Sequence, residues 1–502
     1  MNRERDLFGW WLRLSILAAC KAFCFLASRF LQAIWPGTRF FGPRARVLCP
    51  GDPPPDGERA CDYYDYRGVA VPGELGALTR AYGVSLGSYL WPDGRRGPQL
   101  SLPLDLLHRN CAVIGPPGAG KTEGLIIPWI LDLVRAGASV ITVDVEGDLV
   151  DRVGPAVRQM GVRIWYWNSA DPRRSQSWNW LAAIRDGRDI EGAVQSILGR
   201  PRPNDPQPYF YERDYRWLRA LIAIAKAAHG QRARPSDLYR LIADQDYLRD
   251  QFRRQPGIQR FGLEVADLLQ FPLHEHSRAV SGLLNALHLF NTPAVTAVTE
   301  RSDFALADLA TRPTLLIIGA SLADARAGVV LSGIMLNQLI ALVYRRFAPF
   351  GAARSRPLYF LLDEAPRLRD RVNLGELLSV GRSAGVGVCL AGQDVAQFGD
   401  EGERSALFSN CLIFIALRGC SATTAQYLAS RLGQRMDRQI GRTRYRGFFD
   451  LVPDQIAQAA HATPVPVLRE REIMHPPAGG FSGVVHAAAV SPKPFLVDLT
   501  RG

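Results

Sequence analysis

The sequence shows little sign of the disulfides or structural metal sites by which a small protein compensates for a limited hydrophobic core. Its 502 residues include eight cysteines, which are scattered along the chain, and no CxxC pair occurs. This pattern argues against a zinc knuckle and favours buried free thiols in a reducing compartment. Internal repeats and low-complexity tracts are also missing. A chain of this length can bury a sizeable core by itself, and roughly three domains are expected.

A long uncharged hydrophobic run is missing from the N-terminal region. Arg13, Lys21 and Arg29 interrupt the apolar residues 8–35, so no segment reaches the ~20 apolar residues of a spanning helix. Lys21 also divides any signal-peptide core. The apolar residues recur at helical spacing, which predicts an amphipathic, membrane-proximal helix within residues 1–36. The alternative is a helix packed on the protein's own core.

The charge balance is basic but not extreme. Lys and Arg number 60 and Asp and Glu 48, so the net charge is +12. This excess favours a polyanionic partner, either nucleic acid or an acidic lipid surface, although it also fits a simple solubility charge. The arginine-rich residues 232–254 leave a similar choice between a solvated helical face and contact with DNA or a protein partner. Their interleaved aromatic residues favour packing in a helical region over base stacking.

The chain alternates apolar, β-type segments with helical periodicity from about residue 110. The segments are continuous rather than alternating, as in a buried parallel sheet, and predict strands at 111–115, 139–144, 162–167, 314–319, 358–363, 386–391 and 411–417. The sequence therefore predicts a doubly wound α/β domain. Only amphipathic helical stretches lie between residues 183 and 305, so we expect an inserted all-α domain.

These patterns divide the chain into six parts. They are a membrane-proximal helix at 1–36, a Pro/Gly-rich linker at 37–67, the first part of a nucleotide-binding domain at 68–182, the all-α insert at 183–305, the second part of the nucleotide-binding domain at 306–475, and a C-terminal extension at 476–502.

Residues 115–122 fit the P-loop pattern GxxxxGK[ST], after a predicted strand and before a helical segment. The glycines let backbone N–H groups face phosphate oxygens, Lys121 would reach the β- and γ-phosphates, and Thr122 would offer a hydroxyl to Mg²⁺. The predicted nucleotide-binding residues are Gly115, Pro116, Pro117, Gly118, Ala119, Gly120, Lys121 and Thr122. The pattern predicts ATP and magnesium as the bound species.

An acidic pair follows another buried strand. Five apolar residues precede Asp363 and Glu364, which places both carboxylates at the carboxyl end of that strand. Asp363 would hold the Mg²⁺ shell together with Thr122, and Glu364 would polarise the attacking water. An Asp-Glu pair is typical of RecA-like ATPases rather than small GTPases. A second acidic residue at a strand end, Asp144, either shapes the site or caps the next helix.

Two further polar residues flank the strand at 386–391. Gln393 lies just past its end and would sense the γ-phosphate or orient water. Arg382 precedes it and is either an arginine finger for a neighbouring subunit's nucleotide or a surface charge. The predicted catalytic residues are Lys121, Asp363, Glu364, Arg382 and Gln393.

Taken in order, these motifs resemble the type IV coupling proteins, the conjugative DNA-transfer ATPases of the TraG/TraD kind. The resemblance runs from about residue 68 to about residue 475 and rests on order and spacing rather than on one motif. Beyond the P-loop, it is carried by residues 83–87, 125–128, 178–181, 362–366, 381–385, 392–394, 410 and 432–433.

The resemblance implies a RecA-like P-loop ATPase motor with a mostly parallel sheet and an inserted all-α domain. It implies a homo-hexamer, assembled permanently or only on DNA, that uses ATP and Mg²⁺ and couples hydrolysis to passage of single- or double-stranded DNA. Relaxase or effector substrates and components of a type IV secretion channel would be its partners, at the cytoplasmic face of the bacterial inner membrane. Arg382 and Gln393 resemble the family's catalytic arginine and sensor glutamine, and Arg109 resembles a further nucleotide-site arginine.

The sequence departs from the family pattern at three places. Glu146 stands where a lysine is usual, Trp180 stands where a proline is usual, and the two usual N-terminal membrane-spanning helices have no clear counterpart. The main functional expectation is a DNA-stimulated ATPase that delivers DNA or nucleoprotein to the channel. The alternative is an ATP-switched adaptor that recruits protein effectors without pumping DNA. A chromosome translocase of the FtsK kind has less support.

Overall fold

The computed structural model describes residues 66, 68–79, 82–201, 208–320, 325–345, 356–381, 384–445, 455–477 and 480–500. The predicted helix within 1–36, almost all of the predicted linker, and Arg382 lie outside these residues. The described chain forms two units, of which the larger comprises Tyr66–Leu432 with Leu468–Gly502. The smaller unit contributes a two-stranded antiparallel ribbon in which Gln434 pairs with Pro466 and Tyr445 with Gln455.

The large unit is built on one 11-stranded sheet. Numbered along the chain, its strands are β1 (Gly83–Leu90), β2 (Arg96–Pro103), β3 (Cys111–Ile114), β4 (Ser139–Asp144), β5 (Arg163–Trp167), β6 (Thr314–Gly319), β7 (Leu358–Leu362), β8 (Val386–Gly392), β9 (Ile413–Leu417), β12 (Ser482–Ala487) and β13 (Phe495–Asp498), while β10 (Gln434–Tyr445) and β11 (Gln455–Pro466) form the separate ribbon. All seven strands predicted after residue 110 are present.

The sheet order is β2-β1-β13-β12-β9-β3-β8-β7-β4-β6-β5. The strands from β9 to β5 pair in parallel, whereas β12, β13, β1 and β2 add antiparallel pairs at one end. The parallel strands are apolar and mostly fully buried, as is typical of a parallel sheet whose two faces are covered. Their carboxyl ends therefore meet at one edge of the sheet, which is where ligand sites of α/β proteins form.

Seventeen α-helices accompany these strands in the described residues. They are α1 (Gly76–Thr79), α2 (Leu104–Leu107), α3 (Ile127–Arg135), α4 (Leu149–Gln159), α5 (Trp180–Ala183), α6 (Gly187–Leu198), α7 (Pro208–His229), α8 (Pro235–Ala243), α9 (Gln245–Arg254), α10 (Ala266–Gln270), α11 (Leu273–Leu287), α12 (Pro293–Thr299), α13 (Ala325–Arg345), α14 (Leu374–Gly381), α15 (Glu401–Phe408), α16 (Ala422–Leu432) and α17 (Glu470–Met474). A π-helical turn, Lys121–Ile126, precedes α3.

Between β5 and β6 the described residues form helices and turns and no strand. The first long helix of this region, α6, packs on α13, which follows β6. Asn337 of α13 donates through Nδ2 to the Gly192 carbonyl at 3.0 Å and to the Ser196 hydroxyl at 2.9 Å. Arg345 pairs at 3.2 Å with Asp189, whose side chain is fully buried. Side-chain contacts therefore join the expected insert at 183–305 to the second part of the nucleotide-binding domain at 306–475.

The expected C-terminal extension at 476–502 needs correction. Its strands β12 and β13 lie inside the main sheet, between β9 and β1. Gly483 pairs with Leu417 of β9, and Ser482 pairs with Asp498 of β13. The segment is therefore part of the sheet that carries the P-loop rather than an appendage, because its backbone hydrogen bonds join strands far apart in sequence.

Helix α13 is also the one helix in the described part of the chain that is long and apolar enough to cross a membrane. Its Arg326–Arg345 segment has a mean hydropathy of 1.8, and 89% of it is buried. Burial by its own protein is the pattern of a core helix, and the contacts with α6 show what covers part of it.

Candidate functional site

The P-loop connects the end of β3 to the π-helical turn Lys121–Ile126. Gly118 and Gly120 have φ angles of +77° and +91°, a left-handed conformation that side chains with a Cβ atom rarely adopt. A Cβ atom on Gly120 would also lie 2.3 Å from the Phe481 ring. The loop backbone therefore depends on glycine at this position for two separate reasons.

The side chain of Lys121 lies inside this loop. It is 7% exposed, and its Nζ donates to the carbonyls of Gly115 at 2.8 Å and Pro116 at 3.2 Å. An ammonium has three donors, and a buried cation is stable only when it is paired or fully hydrogen-bonded. The loop therefore holds a cation that a phosphate oxygen would satisfy better than two neutral carbonyls do.

Thr122 and Asp363 meet across the site. The Thr122 hydroxyl donates to Asp363 Oδ2 at 2.7 Å, while Asp363 Oδ1 accepts the backbone N–H of Glu364 at 3.0 Å. A hydroxyl beside a carboxylate is the hard oxygen donor set that Mg²⁺ prefers. These residues therefore fit a magnesium–phosphate complex.

Glu364 follows β7 in a strained conformation. Its φ of 50° is one of two positive values among the described non-glycine residues, and such values cluster at functional sites. Gln393, just beyond β8, donates through Nε2 to Glu364 Oε1 at 3.1 Å. The β7–β8 pairing thus places the amide so that it orients the carboxylate.

Asp144 at the end of β4 serves both of the roles that the sequence left open. Its Oδ1 accepts from the Gly147 N–H at 2.8 Å and its Oδ2 from the Leu149 N–H at 3.1 Å, which caps α4. The same residue also lines the cleft. Burial raises the pKa of Asp144 above its usual value, although these two hydrogen bonds oppose the shift.

The predicted residues lie together in one cleft of about 380 Å³. Its walls contain Pro117, Gly118, Gly120, Lys121, Thr122, Asp363, Glu364 and Gln393. Gly115 and Pro116 supply the carbonyls behind Lys121, and Ala119 closes the loop by donating its N–H to the Pro116 carbonyl at 3.2 Å. Eight predicted residues from three distant sequence segments thus share one site.

Arg109 does not join them. It lies in the turn between α2 and β3, where its N–H donates to the Leu106 carbonyl and its own carbonyl accepts from Leu412 N–H at 3.0 Å. That turn is at the amino end of β3, whereas the P-loop is at the carboxyl end. The structure therefore does not bring Arg109 into the cleft of its own subunit, and its role as a nucleotide-site arginine stays a prediction.

The cleft also contains Glu146 and Asp148, which follow Asp144 in one acidic cluster of the sequence, and four residues that sequence reasoning missed, namely Glu123, Arg152, Arg367 and Phe481. Arg152 pairs with Glu123 and, at 3.7 Å, with Asp148. The i, i+4 spacing of Asp148 and Arg152 is a local signal for an ion pair. Phe481 has no comparable signal, because it reaches the cleft only through the position of β12.

Comparison with known proteins agrees with this geometry. The family model described as "Type IV secretory system Conjugative DNA transfer" matches residues 85–475. Protein VirD4 of Agrobacterium fabrum is 24% identical over 269 residues, which cover 51% of this chain and 39% of that protein. Protein VirD4 of Rhizobium rhizogenes is also 24% identical, and the alignment covers 38% of its length. The chain therefore spans less than half the length of the curated relatives it matches.

Solved structures show the same fold. The unbound bacterial conjugative coupling protein TrwBdeltaN70 superposes with a TM-score of 0.64 at 18% identity, over 86% of this chain and 92% of that chain. TrwB in complex with ADP and Mg²⁺ gives a TM-score of 0.60 at 17% identity, over 86% and 93%. The predicted RecA-like fold with a mostly parallel sheet is thereby confirmed. Because the family model covers more than half of the sequence, the chain belongs to the type IV secretory system conjugative DNA transfer family.

Proposed function

We propose that this protein is an ATP-driven coupling protein that moves DNA or nucleoprotein into a type IV secretion channel. The observation that carries the proposal is the 2.7 Å hydrogen bond between Thr122 and Asp363, beside the buried Lys121. This contact brings the P-loop and the acidic strand end together as ATP hydrolysis requires. TrwB, which shares the fold, has been solved with ADP and Mg²⁺ and with non-hydrolysable analogues of ATP and GTP.

The proposed chemistry uses the contacts already present in the cleft. Lys121 exchanges the Gly115 and Pro116 carbonyls for β- and γ-phosphate oxygens. Thr122 and Asp363 hold Mg²⁺, which neutralises phosphate charge when it is bound. Glu364 orients and polarises the attacking water, and Gln393 fixes the Glu364 carboxylate in position. Arg109 is left out of this site because it lies at the other end of β3.

A neighbouring subunit would complete the site. Arg382 follows the last residue of α14 and precedes β8, so it lies on the connection between the two strands that carry Glu364 and Gln393. We place it as an arginine that reaches the nucleotide of an adjacent subunit in a homo-hexamer, assembled permanently or on DNA. An arginine supplied in trans stabilises the charge that develops during phosphoryl transfer.

The other parts of the chain are assigned by the same proposal. The all-α region between β5 and β6 would contact relaxase or effector substrates, and the net charge of +12 would favour DNA in the assembled ring. Residues 1–36 would associate with the cytoplasmic face of the bacterial inner membrane.

The test is ATP turnover of the full chain with and without single- and double-stranded DNA, alongside a measurement of particle size. We expect DNA to raise turnover and to promote an oligomer. Lys121→Ala should abolish turnover, whereas Lys493→Ala, which removes an equal charge from a surface pair with Glu74, should not. Turnover that ignores DNA but rises with a protein substrate would favour the adaptor function. Failure of the wild-type chain to bind nucleotide would overturn the proposal.

A further inference from the structure

Phe481 packs directly on the P-loop. Its ring carbons Cγ and Cδ1 lie 2.3 and 2.5 Å from the position that a Cβ atom on Gly120 would occupy, and its Cδ2 lies 3.4 Å from the corresponding position on Gly124. Glycine at both positions lets the ring approach the loop and the first turn after it. The ring is partly exposed and forms part of the cleft wall, so the core does not enclose it.

The backbone at Phe481 is anchored on both sides. Its N–H is shared between Asp498 Oδ1 at 3.2 Å and the Thr500 hydroxyl at 3.1 Å, and its carbonyl accepts the Leu499 N–H at 3.0 Å. Asp498 is fully buried and also accepts the N–H of Gly480 at 3.3 Å. These bonds hold the residue in place before any ligand binds, which reduces the entropy that binding would cost.

The sheet order shows where the ring lies along a bound nucleotide. β8 and β7, which carry Gln393 and Glu364, lie on one side of the P-loop strand β3, and β9 and β12 lie on the other. Apart from the P-loop and its helix, every lining residue comes from the β8, β7 and β4 side except Phe481. A nucleotide whose γ-phosphate pointed toward Glu364 would extend its nucleoside from the P-loop toward β12, where this ring lies.

We propose that Phe481 is the base-stacking residue of the cleft and binds the nucleobase of a nucleoside triphosphate through its aromatic face. The proposal rests on the proposed function and adds a contact for the nucleoside to the contacts already assigned to the phosphates. Every nucleobase has a π-face, so stacking supplies affinity without selecting one base. Phe481 would therefore bind adenine and guanine nucleotides alike.

The test compares ligands with and without a base. Dissociation constants for ATP, GTP and inorganic tripolyphosphate are measured on the full chain carrying Phe481→Leu, which keeps an apolar side chain, or Phe481→Tyr, which keeps the ring. Stacking on an aromatic residue is worth ~1–3 kcal/mol per base. We therefore expect Phe481→Leu to raise the dissociation constants for ATP and GTP about 5- to 150-fold and to leave that for tripolyphosphate unchanged. Phe481→Tyr should retain the wild-type affinity for all three ligands.

The ligand series separates the possible failures. If Phe481→Leu weakened the binding of tripolyphosphate and of ATP equally, the ring would only support the P-loop, and the inference would be overturned. Unchanged ATP affinity in Phe481→Leu would overturn it as well. If the wild-type chain binds none of the three ligands, the proposed nucleotide site itself fails, which is a different outcome.

Discussion

Glu364 combines a strained backbone with a fixed carboxylate. A φ of 50° costs on the order of 1–3 kcal/mol in a residue with a Cβ atom. The short turn Ala365–Leu368, which begins directly afterwards, and the hydrogen bond from Gln393 hold the residue in this conformation. In this conformation Glu364 lines the cleft, where an attacking water would be activated.

Replacing Glu364 with glutamine should separate binding from hydrolysis. The amide keeps the size of the side chain but cannot accept a proton, and general-base catalysis contributes about 10²- to 10⁴-fold. We expect ATP turnover to fall by that order while ATP affinity is retained, measured by steady-state hydrolysis and equilibrium binding. Glu401→Gln, at an exposed helix start, is the matched control. Normal turnover by Glu364→Gln would show that another group is the base.

Asp498 anchors the segment that carries Phe481. Burial alone would raise the pKa of its carboxyl, but hydrogen bonds from the Thr500 hydroxyl and from the N–H groups of Thr500, Phe481 and Gly480 outweigh burial and lower the pKa to about 2. A carboxylate whose pKa is depressed on folding stabilises the protein at pH values above its unfolded pKa. That stabilisation is lost as the pH falls through the folded pKa.

Asp498→Asn should therefore lower the free energy of unfolding at pH 7 by about 2 kcal/mol. The difference from wild type should shrink as the pH falls from about 4 toward 2, because protonation then neutralises the wild-type carboxyl. Denaturant unfolding at stepped pH values measures both effects. Asp246→Asn, at a side chain that is 85% exposed, should show neither. A difference that stays constant over this pH range would contradict the assigned role of the charge.

At the scale of elements, the segment after β7 connects the acidic pair to α6. Arg371 donates through Nη1 to the carbonyls of Ser196 at 2.8 Å and Ile197 at 2.6 Å, at the C-terminal end of α6. Asn337 of α13 donates to the Arg371 carbonyl at 2.8 Å. One arginine therefore satisfies helix-end carbonyls that have no partner within the helix and joins α6 to the strand that carries Glu364.

Arg371→Ala should loosen this junction. Hydrogen bonds from a charged donor contribute ~1.5–3 kcal/mol, and we expect a loss of about 2 kcal/mol in the free energy of unfolding. Hydrogen exchange should quicken in residues 192–199 more than in the sheet. Arg369→Ala is a close control, since the Arg369 side chain is 41% exposed and makes a longer bond of 3.4 Å to the Gln397 carbonyl. Equal effects of the two variants would argue against a specific role of Arg371.

At the scale of the whole molecule, the proposed arginine finger makes activity a property of the assembly. Arg382→Ala should reduce turnover in the oligomer and leave any monomer turnover unchanged, because the arginine would act on a neighbour's nucleotide. Turnover measured across protein concentration, with size monitored in parallel, tests this expectation. Arg95→Ala, at a side chain that is 79% exposed, is the control. An equal loss in monomer and oligomer would exclude action in trans.

Mixed oligomers give a sharper form of the same test. Lys121→Ala and Arg382→Ala should each be inactive alone as oligomers. When they are mixed, some sites combine an intact Lys121 from one subunit with an intact Arg382 from its neighbour. We expect part of the activity to return on mixing, and a mixture that stays inactive would place Arg382 outside the neighbouring site.

The parts of the fold that were predictable depend on local patterns. Continuous apolar runs identify buried parallel strands because burial on both faces removes the alternation of polar residues. The P-loop at 115–122 and the Asp363-Glu364 pair are recognisable because the apolar strand residues directly before them indicate where they lie in the sheet. Strands β12 and β13 were not predicted. The strands that join them to the rest of the sheet, β9 and β1, are distant in sequence, so no nearby residue indicates their place in the sheet.

The sequence by itself determined the nucleotide-loop chemistry, the acidic strand end and the α/β fold class, since each depends on residue types at short spacing. Only the tertiary structure decided which side chains share the cleft. It brought Gln393 to Glu364, placed Arg109 at the amino end of β3 and away from the cleft of its own subunit, and brought Phe481 onto Gly120. The physical reason is that strand order follows from backbone hydrogen bonds between distant segments, and strand order determines which strand ends meet.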